Sequence, residues 1–244
     1  MTERSKCIII TPTIERVERA TEDQLRKLNA MGYAVHVTYG SSSVNLVRSQ
    51  LASMALKEGF EEIFWIDHDV TFQIEDFERI RNYDLPIACG VYCFKTICTK
   101  LMMQMPPGDH KIILGKGGGL TEVEIAPLGF FYSKRKVYED IRKNLALPDC
   151  RDDDGKLFTP YFLPFTVPFP DGTHAYLIDD GAFCTRARQC GYKVLVDTSI
   201  RLGHIGKYEY SWEEITDKKT LRDSLTVFLH QNWNRDKTLL DSNP

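Results

Sequence analysis

The order of apolar segments in the first 70 residues limits the fold more than any other feature of the sequence. Short strand-like runs alternate with longer stretches whose apolar residues recur at helical spacing. These segments are residues 6–10, 14–31, 33–39, 44–59 and 62–66. A β-α-β-α-β order predicts a mostly parallel sheet with helices on its faces. In an open sheet of this kind, ligands bind at the carboxyl ends of the strands.

The third strand-like run ends in two carboxylates, in the tripeptide Asp67-His68-Asp69. Side chains at positions i and i+2 of an extended chain point to the same side. The spacing therefore predicts that Asp67 and Asp69 lie side by side, where they can hold a divalent cation. The spacing alone is weak evidence, because 152–154 repeats it in a polar loop. Its position is more specific, since a charge at the end of a buried strand is costly without a partner. A solvated strand end is the alternative.

The remaining chain predicts further helices and strands around a long irregular segment, 148–173, which is rich in proline and aromatic residues. Helices are predicted over 74–82, 133–144, 182–190 and 212–232, strands over 86–94 and 192–196, and hairpins over 95–132 with a turn at 115–119. The aromatic residues of 161–169 fit two interpretations equally well: they line a groove for an acceptor, or they form local core.

Composition and charge exclude several classes of protein. The chain has 244 residues, 43% of them hydrophobic and 27% charged, which suits one α/β domain with an ample core. A net charge of −3 gives no basic excess that would indicate a nucleic-acid partner. The sequence has no transmembrane segment and no signal peptide that we can identify. Its seven cysteines are odd in number and lack zinc-type spacing, which favours a reduced, cytoplasmic protein.

Three segments, taken in order, resemble the GT-A-fold, nucleotide-sugar-dependent glycosyltransferases of the family 2 type. They read NLVRSQLASMALKEGFEEIFWIDHDV (45–70), LGFFYSKRKVYEDI (128–141) and LIDDGAFCTRARQCGYKVLVDTSIRLGH (177–204). The resemblance covers most of residues 6–206. It implies one α/β catalytic domain over 1–244, with a mostly parallel central sheet flanked by helices and a small antiparallel hairpin region. Within it, the resemblance implies a nucleotide-binding half (1–94), an acceptor-binding half (95–206) and a C-terminal helical extension (207–244).

The activity that this resemblance implies is metal-dependent transfer of a sugar, with inversion, from a nucleotide-diphosphate sugar to a hydroxyl group of a glycan or another acceptor. A sugar nucleotidyltransferase is one alternative. Such an enzyme is expected to carry a glycine-rich basic loop after the first strand, where this chain has Thr11-Pro12-Thr13-Ile14-Glu15. A non-catalytic sugar-binding domain of the same fold is another, because a fold does not guarantee an activity.

The resemblance also implies roles for individual residues. The implied metal ligands for Mn²⁺ or Mg²⁺ are Asp67, Asp69 and His204; the implied nucleotide-sugar contacts are Thr11, Pro12, Arg48, Asp67, His68 and Asp69; the implied catalytic residues are Asp180 as base and Asp179 in reserve. Each role has a structural alternative: an aspartate can cap the helix after it, His204 can be structural, and Arg48 can be solvated. His68 departs from the usual pattern. It either adds a metal ligand or donor contact or, as strand alternation favours, points away from the two aspartates.

Overall fold

The alternating segments fold into an α/β domain, which we describe from a computed structural model covering residues 3–40, 42–96, 100–216 and 222–231. The α-helices are α1 (Arg19–Ala30), α2 (Val44–Lys57), α3 (Ile74–Asn82), α4 (Arg135–Asn144) and α5 (Asp179–Gln189). The strands are β1 (Cys7–Pro12), β2 (Ala34–Thr38), β3 (Glu62–Ile66), β4 (Val70–Thr71), β5 (Ile87–Gly90), β6 (Gly108–Gly115), β7 (Leu120–Val123), β8 (Phe130–Lys134), β9 (Cys150–Arg151), β10 (Leu157–Phe158), β11 (Phe165–Pro168), β12 (His174–Leu177), β13 (Val194–Asp197), β14 (Gly203–Ile205), β15 (Glu209–Tyr210) and β16 (Ser224–Gln231).

The central sheet has seven strands in the order β2-β1-β3-β8-β5-β13-β7. Strands β2, β1, β3, β5 and β13 run in one direction, and β8 and β7 run antiparallel to their neighbours. The predicted fold class is therefore confirmed: a mostly parallel sheet flanked by helices, with small antiparallel sheets beside it.

Strand β1 is apolar on both faces because helices cover both faces of the sheet. Ile8 and Ile10 belong to a core cluster that includes residues of α2. Ile9 points to the opposite face and joins a second cluster, with Leu25 and Leu28 of α1. The two clusters hold the sheet rigidly between its helices, so the loops at its carboxyl edge start from fixed positions. Across the described residues, every helix is too short or too polar to span a bilayer.

A small three-stranded sheet, β15-β14-β4, lies directly after the central strand β3. Its strand β4 pairs with β14, and His204 lies opposite Val70 in that register. The backbone N–H of Ile205 donates to the carbonyl of Asp69 (2.7 Å). This pairing brings a segment from the C-terminal part of the chain against the Asp-His-Asp motif.

The predicted C-terminal helix over 212–232 is wrong in the part of the chain that the structure describes. Residues Trp212–Thr216 form a 3-10 turn, and β16 follows as a strand that pairs with β6 over its whole length. The reason is the alternation in β16: Leu225 and Val227 are buried, whereas Ser224, Thr226 and Phe228 are exposed. That pattern has the period of a strand. The helical extension predicted for 207–244 is corrected accordingly, and its remaining residues, 217–221 and 232–244, lie outside the described ranges.

The predicted hairpin turn at 115–119 is also wrong, because the strands on its two sides join different sheets. Strand β6 pairs with β16, and β7 pairs with β13 at the edge of the central sheet. Gly115 and Gly117 have positive φ (76° and 91°), which lets the chain turn sharply between them. Antiparallel hairpins occur instead at β9-β10 and β11-β12. In the aromatic segment, Tyr161 and Phe162 are buried in the main core, so for these two residues the local-core interpretation holds.

Tyr138 offers a test of the packing between α4 and the sheet. Its hydroxyl accepts a hydrogen bond from Trp65 Nε1 (2.9 Å) and forms another with Ser133 Oγ (2.8 Å). We predict that Tyr138→Phe lowers the free energy of unfolding by about 1–3 kcal/mol, because the buried indole N–H loses its acceptor. Urea denaturation measures this change. Tyr39→Phe, at an exposed tyrosine, is the matched control, and equal midpoints for the two variants would contradict the prediction.

Candidate active site

The Asp-His-Asp motif forms a turn between β3 and β4. The N–H of Val70 donates to the carbonyl of Asp67 (3.3 Å), and the N–H of Asp67 donates to the carbonyl of Gly129 (3.0 Å). Because the chain leaves the extended conformation after Ile66, strand alternation no longer applies to the motif. The strand-alternation argument for placing Asp67 and Asp69 side by side therefore fails, and the two carboxylates have different partners. Their joint role in a metal site stays a prediction.

Asp67 is held by Arg48, whose side chain is only 3% exposed. Arg48 Nη2 donates to Asp67 Oδ1 (2.5 Å), and Nε donates to Asp179 Oδ2 (3.2 Å). The guanidinium carbon lies 5.2 Å from the ring centroid of Trp65. Burial opposes the charged form of Arg48, but the two carboxylates outweigh it and raise its pKa. Arg48 is therefore a permanent buried charge that joins the end of β3 to the start of α5.

Asp179 and Asp180 are the first two residues of α5, where the helix dipole favours negative charge. The N-cap position belongs to Ile178, so neither aspartate occupies it. Asp179 binds Arg48, whereas Asp180 Oδ1 accepts a hydrogen bond from the N–H of Gly181 (2.7 Å). Burial and the neighbouring charge of Asp179 raise the pKa of Asp180 to about 6, although the Gly181 N–H and Arg48 act in the opposite direction. A carboxyl group with this pKa can exchange a proton near neutral pH.

His204 faces Asp69 across the β4-β14 pairing. Its Nδ1 lies 2.8 Å from the carbonyl oxygen of Cys93 and therefore carries a proton, because a carbonyl can only accept. Its Nε2 lies 3.6 Å from Asp69 Oδ1, and the ring packs edge-on against Tyr92. Both side chains are nearly buried, at 12% and 11% exposure. A backbone carbonyl that fixes one ring nitrogen is how metal-binding histidines are commonly oriented.

Asp69 also has two basic neighbours on its other oxygen. Lys95 Nζ donates to Asp69 Oδ2, and His68 Nε2 lies 3.5 Å from the same atom. Burial alone raises the pKa of Asp69, but His204, Lys95 and His68 outweigh it and lower the pKa to about 2. The predicted sideways orientation of His68 is wrong, because the turn directs its ring toward Asp69.

Tyr92 and Gly129 lie beside Asp67. The hydroxyl of Tyr92 accepts the N–H of Gly129 (3.1 Å), and burial together with the charge of Asp67 raises the pKa of Tyr92. A Cβ atom on Gly129 would lie 2.2 Å from Tyr92 Oη and 2.7 Å from Asp67 Oδ2, so any larger residue would have to displace these two side chains. Sequence reasoning did not identify Tyr92, Lys95 or Gly129. The one available signal for Tyr92 and Lys95 is that they follow β5, whose carboxyl end lies at this edge of the sheet.

Thr11 and Pro12 end β1 at the same edge of the sheet. Because strand side chains alternate, Pro12 lies on the face of Ile10, which pairs with Trp65 beside Arg48, and Thr11 lies on the opposite face. Thr11 is fully buried, and its Oγ1 has no hydrogen-bond partner among the described residues. The structure thus brings Pro12 to the face that carries Arg48, but it does not bring Thr11 there.

The residues present fit a divalent cation only in part. Within the described ranges, no three His, Cys, Asp or Glu side chains gather closely enough to hold a metal. Asp69 and His204 supply two donors, whereas one oxygen of Asp67 is bound by Arg48. Two ligands of one ion at about 2.0–2.2 Å lie at most about 4.4 Å apart, and the observed 3.6 Å satisfies this limit. Hard cations often bind through one or two carboxylates with the remaining ligands supplied from outside the protein, so the pair fits a cation whose other ligands come from a bound molecule or water.

Comparisons with known proteins bear on the fold. No family model matches the chain, and no curated protein matches it. The solved structure of A197 from STIV covers 82% of this chain and 85% of its own, with a TM-score of 0.55 and 18% identity. A glycosyltransferase involved in glycosylation of the major capsid of PBCV-1 covers 57% of this chain and 64% of its own (TM-score 0.33, 16% identity). The structure of GalNAc-T7 with UDP, GalNAc and Mn²⁺ covers 84% of this chain and 44% of its own (TM-score 0.45, 10% identity).

At these values the first similarity shows the fold alone, and the other two carry no weight for function. What is shown is the mixed α/β architecture, with its seven-stranded central sheet and small antiparallel sheets.

The Arg48 bridge generates a stability prediction. We expect Arg48→Met to lower the free energy of unfolding by about 3–5 kcal/mol, because it leaves the carboxylates of Asp67 and Asp179 without their buried partner. Chemical denaturation at pH 7 measures the loss. Arg19→Met, at an exposed arginine of α1, is the control and should change little. A loss below 1 kcal/mol for Arg48→Met would show that the bridge does not hold the site together.

Proposed function

We propose that this chain is a glycosyltransferase that moves a sugar, with inversion, from a nucleotide-diphosphate sugar to a hydroxyl acceptor with the help of Mn²⁺ or Mg²⁺. One observation carries the proposal: Arg48 ties Asp67 to the acidic pair at the start of α5. A potential cation site, Asp69 with His204, and a carboxyl group of raised pKa, Asp180, therefore belong to one edge of the sheet. Group transfer from a diphosphate needs both functions close together.

We assign Asp69 and His204 to the sugar donor, where they would bind the cation that contacts its diphosphate. A sugar-diphosphate gains negative charge as it leaves, and a divalent cation bound by these two residues would neutralise that charge. The carbonyl of Cys93 fixes the ring of His204, so its Nε2 is directed at Asp69 before any ligand binds. Arg48 holds Asp67 in place, and we assign Asp67, His68 and Pro12 to contacts with the nucleotide or its sugar.

The acceptor side falls to Asp180. Its carboxylate takes the proton of the attacking hydroxyl while the acceptor oxygen bonds to the anomeric carbon. The bond between that carbon and the diphosphate oxygen breaks, and its electron pair stays on the oxygen of the leaving diphosphate. A pKa of about 6 leaves Asp180 ionised at neutral pH and still basic enough to receive the proton. Asp179 is engaged by Arg48, so its role in this proposal is to position Asp180 and raise its pKa.

A sugar nucleotidyltransferase is the main rival. Such an enzyme is expected to hold a triphosphate on a glycine-rich basic loop after β1. In this chain β1 ends at Thr11 and Pro12, and Thr13 Oγ1 donates to the carbonyl of Arg16 (2.7 Å) in a segment without glycine. This geometry favours the transferase.

A thermal-shift panel of nucleoside diphosphates, nucleoside triphosphates and nucleotide sugars, each with Mn²⁺, Mg²⁺ or EDTA, tests the proposal. A ligand at 100 times its Kd adds about 2.7 kcal/mol of stability. We expect one nucleotide-sugar class to stabilise the protein only with metal, and Asp69→Asn to lose that shift. Preferential stabilisation by a triphosphate would favour the nucleotidyltransferase, and no shift with any ligand would favour a domain without a donor site.

Asp180→Asn tests the assignment of the base. We expect donor binding to persist while transfer falls by about 10²–10⁴-fold, since the amide cannot accept the proton. The wild-type kcat/KM should fall as pH drops below about 6, because the carboxylate is then protonated and cannot act as base. Asp154→Asn, at an exposed aspartate, is the charge-matched control. Near-normal transfer by Asp180→Asn would reject the role.

A further inference from the structure

Asp69 already has a cationic partner in the protein without ligands. Lys95 Nζ donates to Oδ2, whereas His204 faces Oδ1. One oxygen of this carboxylate is thus directed at a potential metal ligand and the other at an ammonium group. The proposed transfer reaction gives Lys95 no task, so this contact needs a separate explanation.

The position of Lys95 is set by the same two segments that orient His204. The carbonyl of Cys93 accepts from His204 Nδ1, and Lys95 follows two residues later. Its aliphatic stem lies against Gly206, where an added Cβ would approach Lys95 Cδ to 3.0 Å. The contact between 93–95 and 204–206 therefore prepares the imidazole for a metal and also directs an ammonium group at the carboxylate.

We propose that Lys95 competes with the divalent cation for Asp69, so that metal binding displaces the ammonium group from Oδ2. A metal on Asp69 and an ammonium touching the same carboxylate are like charges a few ångströms apart, and their repulsion is strong in a partly buried site. The protein without donor should consequently bind metal weakly. A diphosphate supplies the negative charge that can pair with the released Lys95, so metal and donor should bind together. This last step rests on the proposed function, whereas the competition itself does not.

The experiment measures Mn²⁺ binding without any nucleotide, by the electron paramagnetic resonance signal of free Mn²⁺. Lys95→Met keeps the aliphatic stem and removes the charge, and we expect it to bind Mn²⁺ about tenfold more tightly than the wild type because the competing charge is gone. Lys207→Met removes a charge from an exposed lysine near Gly206 and should leave the affinity within about twofold of the wild type. Unchanged or weaker binding by Lys95→Met would overturn the proposal, as would an equal gain in Lys207→Met.

A double-mutant cycle separates an effect of Lys95 that acts through Asp69 from a general effect of its charge on Mn²⁺ binding. Asp69→Asn removes a proposed metal ligand, so in that background Lys95→Met should not restore Mn²⁺ binding, and a restored Mn²⁺ site in the double variant would contradict competition at Asp69. Lys95→Arg keeps the charge and should bind Mn²⁺ as weakly as the wild type. It also serves as the reference if Lys95→Met melts at a lower temperature.

Failure of the competition and failure of the proposed function give different results. Tighter Mn²⁺ binding by Lys95→Met, together with no transfer from any nucleotide sugar by the wild type, would leave the competition standing and reject the transferase. Sugar transfer by the wild type, together with unchanged Mn²⁺ affinity in Lys95→Met, would do the reverse.

Discussion

The buried guanidinium of Arg48 is the interaction on which the rest of the site depends. It bonds to Asp67 at the end of β3 and to Asp179 at the start of α5, two positions far apart in the sequence. A charge with 3% exposure needs such partners, because desolvation without compensation is costly. Arg48 holds Asp179 beside Asp180, and the charge of Asp179 helps to raise the pKa of Asp180. Structure and proposed chemistry are linked through this single residue.

The pairing of β4 with β14 positions the other two side chains of the candidate site, Asp69 and His204. It places His204 beside Asp69, and the carbonyl of Cys93 fixes the imidazole so that Nε2 faces the carboxylate. Nε2 lies 3.6 Å from a carboxylate oxygen of Asp69, and these two atoms would be the donors to a divalent cation. Lys95 approaches the opposite oxygen, so Asp69 already has a cationic partner in the ligand-free site. The donor would then replace internal ion pairs with its own diphosphate and metal.

The sequence predicted the fold but only part of the site, because strand and helix periodicity is local whereas several site contacts are tertiary. The segments of β1, α1, β2, α2 and β3 have strong periodicity, so their order predicted the parallel half of the sheet. Periodicity also explains the C-terminal error, since the alternation of Leu225 and Val227 went unrecognised in a polar stretch. The turn at 67–69 was not predicted because the sequence of these three residues does not indicate that the strand ends at Ile66. Lys95, Tyr92 and Gly129 act through tertiary contacts, which no local spacing encodes.

The most direct test of the central claim is a turnover assay in which each nucleotide sugar is supplied with Mn²⁺ and a panel of hydroxyl acceptors, and released nucleoside diphosphate is measured beside the glycosylated product. We predict that one nucleotide class gives product and diphosphate in equal amounts, and that EDTA or Asp69→Asn abolishes both. Release of pyrophosphate from a nucleoside triphosphate and a sugar phosphate, with no turnover of any nucleotide sugar, would contradict it.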